Sequence, residues 1–153
     1  DNWRVDNVRL HRIGTPVSED VELYREADDG FSVAAGLSAQ DDWLVIATGD
    51  NETSEVRLVP AANPTGAHVL VKARRKGVEY DVDVRDGTLW VHTNDDHVNF
   101  RLATAPLATP GEWTTLLAGS DEFYLTGFEL YRDFYVTEGR LAGLDQVQLR
   151  QYG

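Results

Sequence analysis

Two residue types are missing from this sequence of 153 residues: it has no cysteine and no methionine. Without cysteine the chain forms no disulfide and carries no thiol chemistry, which fits a cytoplasmic protein, and that is the localisation we predict. The sequence begins at Asp1 and not at an initiator methionine. We therefore expect this chain to be a piece of a longer protein.

Long apolar runs and helical patterning are also lacking. No stretch of about 18 consecutive apolar residues is present, and no basic segment precedes an apolar one, so neither a membrane span nor a signal peptide is visible in these residues. No segment keeps apolar residues at helical spacing for more than about one turn. The pattern instead favours strands.

Positive charge is scarce. The chain has 14 Lys and Arg residues against 26 Asp and Glu residues, a net charge of −12. Nucleic acids and anionic membranes both require a basic surface, so neither is predicted as a partner. The one basic run, residues 72–76, is interpreted as a solvated sheet edge that its charge protects from pairing.

A short strand-like triplet recurs along the chain roughly every 45 residues, a period typical of propeller blades. Its four copies are Val8-Arg9-Leu10, Val56-Arg57-Leu58, Phe100-Arg101-Leu102 and Val147-Gln148-Leu149. A repeat of this length is either a helical pair or a four-stranded blade, and the composition of the unit decides between them.

The unit around residues 77–119 predicts four strands. Val78–Arg85 alternates apolar and charged residues, and Asp86-Gly87 follows it, a pair that accepts the left-handed backbone of a tight hairpin. Further strands are predicted at Thr88–Thr93, Val98–Ala103 and Trp113–Leu117. This arrangement is a four-stranded antiparallel meander.

The neighbouring units align with this one, so the sequence predicts an all-β, partial β-propeller of four-stranded antiparallel blades. We divide it into the last strands of one blade (1–27), two blades (28–76 and 77–119) and the first three strands of another (120–153). About three blades are fewer than a closed ring contains. Self-association through exposed blade edges is therefore expected.

The sequence offers little catalytic chemistry. Ser38 lies in Gly36-Leu37-Ser38-Ala39-Gln40, which lacks the second glycine of a nucleophile elbow, so we interpret it as a turn residue. His92 and His97 flank acidic residues but fall on opposite arms of a predicted hairpin, which argues against a metal site. We predict no catalytic residue, no metal and no cofactor in this chain.

Three carboxylates are the candidate functional residues. Glu79, Asp81 and Asp83 alternate along a predicted first strand, and the first strands of propeller blades line the central channel. In that position they attract cationic peptides. A solvated acidic face without a function is the alternative.

The sequence resembles the propeller domain of the prolyl oligopeptidase family, and within it the oligopeptidase B (protease II) branch. The segments that carry this resemblance extend over nearly the whole chain in order: residues 8–16 (VRLHRIGTP), Ser18-Glu19-Asp20, Thr53-Ser54-Glu55-Val56-Arg57, residues 77–82 (GVEYDV), Thr93-Asn94-Asp95 and Asn99-Phe100-Arg101-Leu102.

The resemblance implies a parent enzyme in which a seven-bladed propeller covers an α/β-hydrolase domain with a Ser-Asp-His triad. Enzymes of this branch cut short peptides after Arg or Lys. The implied partners are the C-terminal hydrolase domain of the same parent chain and short basic peptides. The propeller segment itself would gate access without catalysing the reaction.

Two other hypotheses remain open at the level of the sequence. A propeller that binds proteins and has no peptidase attached would show the same repeats and charge. A self-contained β-sandwich is less compatible, because sandwiches rarely repeat their strands at a fixed period.

Overall fold

The computed structural model of the chain describes residues 3–153, so the first two residues of the predicted 1–27 unit lie outside it. The described part contains thirteen strands and one short 3₁₀ turn, Val17–Glu19. Within it, no helix is long and apolar enough to cross a membrane. The strands are β1 (Asn7–Leu10), β2 (Val21–Arg25), β3 (Ser32–Leu37), β4 (Trp43–Gly49), β5 (Ser54–Pro60), β6 (Val69–Leu70), β7 (Tyr80–Arg85), β8 (Thr88–Thr93), β9 (Arg101–Pro106), β10 (Thr114–Leu117), β11 (Phe123–Leu130), β12 (Phe134–Leu141) and β13 (Leu144–Gln151).

The strands form four antiparallel sheets. Two sheets have four strands, in the orders β3-β4-β5-β6 and β7-β8-β9-β10, and they are flanked by the β1-β2 pair and the three-stranded sheet β11-β12-β13. The first strand of each of the three larger sheets lies at one edge. The predicted all-β, four-stranded propeller architecture is confirmed.

The hairpin turns show why the strand pairs hold their register. Asp86 and Gly87 have φ values of 49° and 74°, the left-handed pair that a two-residue hairpin requires, as the sequence predicts. Ala142 and Gly143 adopt the same geometry, with φ values of 51° and 78°. This second turn was not predicted, and it joins β12 to β13 between the paired residues Leu141 and Leu144.

The predicted strand Val98–Ala103 is wrong in its first half, because β9 begins only at Arg101. Phe100 has a φ of 68°, and its N–H donates to the His97 carbonyl at 3.0 Å, so the turn continues through Phe100. The ring of Phe100 then stacks on the imidazole of His92, with 4.6 Å between ring centroids. The strained backbone thereby places a half-buried aromatic ring against His92.

Alignment of the 28–76 unit with residues 77–119 predicts a fourth strand at His68–Lys72, and the observed strand is shorter, since β6 contains only Val69 and Leu70. The N–H of Val71 still donates to the Val56 carbonyl at 2.9 Å, but the N–H of Lys72 donates to the Tyr80 hydroxyl instead. The chain leaves the sheet at this point to enter the next unit.

Apolar side chains fill three contacts between neighbouring sheets, which we call seams. The first seam joins β1-β2 to β3-β6, the second joins β3-β6 to β7-β10, and the third joins β7-β10 to β11-β13.

Strand β8 contributes side chains to two seams. Leu89 and Val91 pack into the second seam, and Trp90 between them packs into the third. Alternation therefore separates the residues of the two seams, although almost the whole strand is buried. The buried core residues are Val33, Ile46 and Val59 in the first seam, Val56, Leu58, Val71, Tyr80, Val84, Leu89, Val91, Ala103 and Ala105 in the second, and Trp90, Leu102, Leu125, Leu130 and Tyr135 in the third.

Candidate functional site

The three predicted carboxylates lie along the edge strand β7. Asp81 and Asp83 are on this strand and Glu79 immediately precedes it, so all three share one side. Tyr80 and Val84 on the other side are buried in the second seam. The predicted alternation is present, and the acidic side is the less buried one.

Asp83 is tied to the preceding blade. One of its oxygens, Oδ1, accepts hydrogen bonds from the N–H of Ala39 at 2.9 Å and from the N–H of Val84 at 2.7 Å. Burial raises the pKa of Asp83, these two bonds lower it, and the charges of Asp42 and Asp81 raise it, so the pKa stands above its ordinary value. The carboxylate is a contact of the second seam.

The substitution Asp83→Asn should stabilise the chain at pH 7 by about 0.5–1 kcal/mol. Asparagine keeps an oxygen for both N–H donors and removes a charge that the site disfavours. Because the pKa of Asp83 is raised in the folded state, the wild-type chain loses stability as the pH rises through that pKa. Urea unfolding at pH 7 and pH 4 should therefore show a gain that shrinks at the lower pH.

Asp96→Asn is the matched control for this measurement. Asp96 is exposed, and within the described residues its side chain has no hydrogen-bond or ion-pair partner, so its replacement should change stability by less than about 0.5 kcal/mol. A loss of stability on Asp83→Asn at pH 7 would contradict the assignment.

Asp81 is tied to the following sheet through a histidine. Its Oδ1 lies 2.7 Å from Nδ1 of His92, and Nε2 of the same ring lies 2.8 Å from the Leu125 carbonyl oxygen on β11. A histidine paired with an aspartate resembles a catalytic base, but here the second ring nitrogen faces a backbone carbonyl and no nucleophile. The arrangement joins two sheets and has no proton-transfer partner.

Glu79 differs from the two aspartates. Its backbone is held, since its N–H donates to the Asn94 side chain at 2.8 Å and its carbonyl accepts from the Thr93 hydroxyl at 2.8 Å. Among the described residues, its carboxylate has no hydrogen-bond or ion-pair partner. Of the three candidates, Glu79 is therefore the one whose charge is left for a ligand.

The remaining candidates of the sequence have structural partners. His97 lies 3.1 Å from Asp121 through Nε2, and its Nδ1 accepts the N–H of Asn99 at 3.0 Å. Ser38 donates to Asp42 at 2.7 Å and accepts the N–H of Trp43 at 3.0 Å, which makes it a turn residue. Within residues 3–153, no group of three His, Asp or Glu side chains is placed to hold a metal ion.

The basic run at residues 72–76 is not a solvated edge throughout, and this part of the prediction is wrong. The guanidinium of Arg74 lies 2.6 Å from Glu26 and 3.2 Å from Glu55, and both carboxylates are buried. Glu26 belongs to the first unit and Glu55 to the second, so the ion pair crosses the first seam. No local pattern indicates this pairing, because Glu26 and Arg74 are far apart along the chain.

The pKa values of the two glutamates follow from this arrangement. Burial on its own raises the pKa of Glu26, but hydrogen bonds from Arg74 and from the N–H of Asp28 outweigh it and hold the pKa below its ordinary range. The pKa of Glu55 is lowered in the same way, with burial opposed by Arg74 and Arg57. Both groups are ionised at neutral pH, and Arg74 together with Arg57, which lies 2.8 Å from Glu55, balances their two charges.

Tyr80 supplies the polar contact at the centre of the second seam. Its hydroxyl accepts the N–H of Val56 at 2.9 Å and donates to the Lys72 carbonyl. Burial raises the pKa of Tyr80 to about 12, while the N–H bonds act in the opposite direction, so the hydroxyl stays neutral. Each seam thus combines an apolar core with a specific polar contact.

Comparison with known proteins shows to which family these sheets belong. The family model described as "Prolyl oligopeptidase, N-terminal beta-propeller domain" matches residues 2–153. The chain belongs to the prolyl oligopeptidase family. The resemblance seen in the sequence is confirmed, and the seams are contacts between blades of that family's propeller.

Curated relatives support the same assignment within the prolyl oligopeptidase family. The chain is 35% identical over 146 residues to dipeptidyl aminopeptidase BI of Pseudoxanthomonas mexicana and 29% identical over 137 residues to protease 2 of Moraxella lacunata. The matches cover 93% and 90% of this chain but only 20% of each relative. The chain therefore spans about a fifth of the length of these proteins.

Two solved oligopeptidase B structures match the fold closely. Oligopeptidase B from Trypanosoma brucei, in a closed form with covalently bound antipain, matches with a TM-score of 0.93 at 34% identity. The match covers 98% of this chain and 22% of the Trypanosoma brucei chain. Oligopeptidase B from Leishmania major matches with a TM-score of 0.95 at 30% identity, and the match covers 99% of this chain and 22% of the Leishmania major chain. The sheet arrangement described above is therefore similar to that of the matching segment in both oligopeptidase B structures.

Proposed function

We propose that this chain is a non-catalytic part of the propeller of a serine oligopeptidase that hydrolyses short peptides after arginine or lysine. The observation that carries the proposal is the match to two oligopeptidase B structures over 98% and 99% of the chain at 34% and 30% identity. In this proposal the catalytic residues belong to an α/β-hydrolase domain elsewhere in a cytoplasmic parent protein.

The role of the propeller in this proposal is to limit substrate size. Sheets that pack face to face form a continuous wall, because interiors of native density leave few voids larger than a water molecule. All three seams of this chain have such cores, and each adds a polar contact between its two sheets. A short extended peptide reaches a covered active site through a narrow opening, whereas a folded protein does not.

The exposed face of the last sheet supports a place within a larger ring. Val147 and Leu149 on β13 are 71% and 69% exposed, on a strand that pairs along one edge only. Apolar side chains at these positions favour burial against another sheet. We propose that further blades of the parent propeller cover this face.

The electrostatic part of the proposal depends mainly on Glu79. Imidazolium formation at His92 would balance the charge of Asp81, and Asp83 binds two backbone N–H groups, so these two carboxylates attract a cation less than free ones do. Glu79 keeps an uncompensated charge beside the first strand of its blade. At that edge its field favours entry of basic peptides.

Replacement of Glu79 tests this role in the parent peptidase. Glu79→Gln should raise the KM for a peptide with several basic residues by roughly three- to tenfold. The KM for a peptide whose single arginine is flanked by neutral residues should change little. Screening should remove the difference at about 1 M salt, where the Debye length is about 3 Å.

Glu112→Gln provides the matched control, because it removes the same charge from an exposed position next to the outermost strand β10. An equal effect of the two substitutions would contradict a channel role for Glu79. If the parent protein fails to cleave after arginine and lysine at all, the proposed substrate class is wrong.

A further inference from the structure

The proposed function uses only the charge of His92 and not its position between two blades. His92 lies on β8 and is only 6% exposed, enclosed by the third seam. Its two ring nitrogens reach in opposite directions, to Asp81 on β7 at 2.7 Å and to the Leu125 carbonyl on β11 at 2.8 Å. One side chain thus joins the inner strands of two neighbouring blades.

Both partners of His92 are hydrogen-bond acceptors. A carboxylate oxygen and a carbonyl oxygen have no proton to give, so each bond requires an N–H on the ring nitrogen that faces it. A neutral imidazole has only one N–H, and its other nitrogen would then face an oxygen with no proton between them. The two short distances are satisfied together only by the imidazolium.

The surroundings of His92 favour its charged form. The charged groups that act on it most are Asp81 and Glu79, both acidic and both beside or on β7. Strand β9 places Leu102 opposite it, the preceding turn stacks Phe100 on its ring, and β11 contributes only the carbonyl. Burial lowers the pKa of His92, but the hydrogen bond and charge of Asp81 outweigh burial, so its pKa is raised.

We propose that His92 is a pH-sensitive connection between two blades, which holds β7 and β11 together as the imidazolium and releases β11 when it loses its proton. The proton that remains stays on Nδ1, because a carboxylate is a stronger acceptor than a carbonyl. The bare Nε2 then faces the Leu125 carbonyl, and the third seam loses a contact between its two sheets.

The direction of the pH dependence follows from the raised pKa. A histidine whose pKa is higher in the folded state contributes its full stabilisation below the ordinary value of about 6.5 and loses it as the pH rises through the folded value. The third seam is therefore closed in mild acid and opens more readily at alkaline pH.

The wild-type chain provides the first test. Nitrogen-15 NMR of the histidine rings should show both nitrogens of His92 protonated at pH 6, with a titration midpoint above the ordinary histidine value of about 6.5. His11 serves as the comparison position for substitution, since its Nδ1 lies 2.7 Å from Asp20 but its side chain is 43% exposed and crosses no seam. A neutral His92 ring at pH 6 would overturn the proposal.

The second test measures opening of the seam. The N–H of Leu125 donates to the Asn99 carbonyl at 3.0 Å, so its hydrogen-exchange protection reports on the same contact between blades. Corrected for intrinsic exchange, this protection should fall roughly tenfold as the pH rises through the His92 midpoint, the loss expected for a hydrogen bond from a charged donor.

Variants separate this effect from general pH sensitivity. His92→Gln, which has no titrating proton, should give lower protection at pH 6 and no step with pH, whereas His11→Gln should keep the wild-type step. A step of unchanged size in His92→Gln, or a flat profile in the wild-type chain, would refute the connection. If His92→Gln does not fold, the two wild-type measurements still decide.

Discussion

Replacement of Arg74 by methionine should lower the free energy of unfolding by about 3 kcal/mol at pH 7. Methionine retains much of the apolar stem but leaves Glu26 and Glu55 buried without the guanidinium that pairs with both, and loss of one partner of a buried ion pair typically costs about 3–5 kcal/mol. The lower end of that range applies because Arg57 remains 2.8 Å from Glu55. Urea unfolding followed by circular dichroism measures the change.

The pH dependence of this loss identifies its cause. Because the pKa values of Glu26 and Glu55 are lowered in the folded wild-type chain, the stabilisation is present above their ordinary value of about 4.3 and disappears as the pH falls through the folded values. The cost of Arg74→Met should therefore shrink in acid.

Arg75→Met is the matched control. Arg75 adjoins Arg74 in the basic run but is exposed, and the described residues give it no carboxylate partner, so the expected change is below about 0.5 kcal/mol. Equal losses for the two substitutions would show that the ion pair across the first seam contributes nothing specific.

Replacement of Trp90 by alanine should cost about 3–5 kcal/mol, the range observed for large aromatic residues removed from a core. Trp90 is 7% exposed and packs against three rings across the third seam, with centroid distances of 5.0 Å to Tyr135, 5.8 Å to Tyr152 and 6.5 Å to Phe128. The substitution removes the apolar area of the indole and leaves a cavity that the rigid strands cannot fill.

Trp3→Ala is the control of the same residue type, since Trp3 is 100% exposed and its removal should change stability by less than about 0.5 kcal/mol. Tyrosine fluorescence or circular dichroism follows unfolding in both variants. A cost below about 1 kcal/mol for Trp90→Ala would mean that the third seam is not a packed core.

The strands and their faces could be read from the sequence because they depend on local patterns. Alternation along residues 78–85 places Tyr80 and Val84 inside, and Asp86-Gly87 fixes the register of β7 against β8. The hairpin turn at Ala142-Gly143 was not predicted, because alanine has no particular preference for a left-handed backbone. The fourfold triplet revealed the repeat because each blade uses the same strand order.

The contacts between blades could not be read in this way. Alternation shows that Glu55 and His92 point towards a seam, but it does not say which residue of the next sheet meets them. Arg74 looked like part of a solvated basic run because its two partners belong to other strands. The partner of His92 on β11 is a backbone carbonyl, which no side-chain pattern can indicate, and the turn through Phe100 depends on packing of its ring.

The placement of the three candidate carboxylates could be predicted only in part for the same reason. The acidic side of β7 followed from local alternation, whereas the engagement of Asp81 and Asp83 by neighbouring elements depends on tertiary structure. That engagement leaves Glu79 as the carboxylate whose charge is free for a ligand, a distinction that the sequence could not make.

The most direct test of the central claim, that this propeller segment gates a peptidase, compares one cleavage sequence in two settings. The parent protein would be assayed by mass spectrometry on a short peptide containing one arginine and on a folded protein that displays the same segment in a surface loop. We predict efficient cleavage after the arginine in the peptide and cleavage at background level in the folded protein. Comparable kcat/KM values for the two substrates would contradict the gating role.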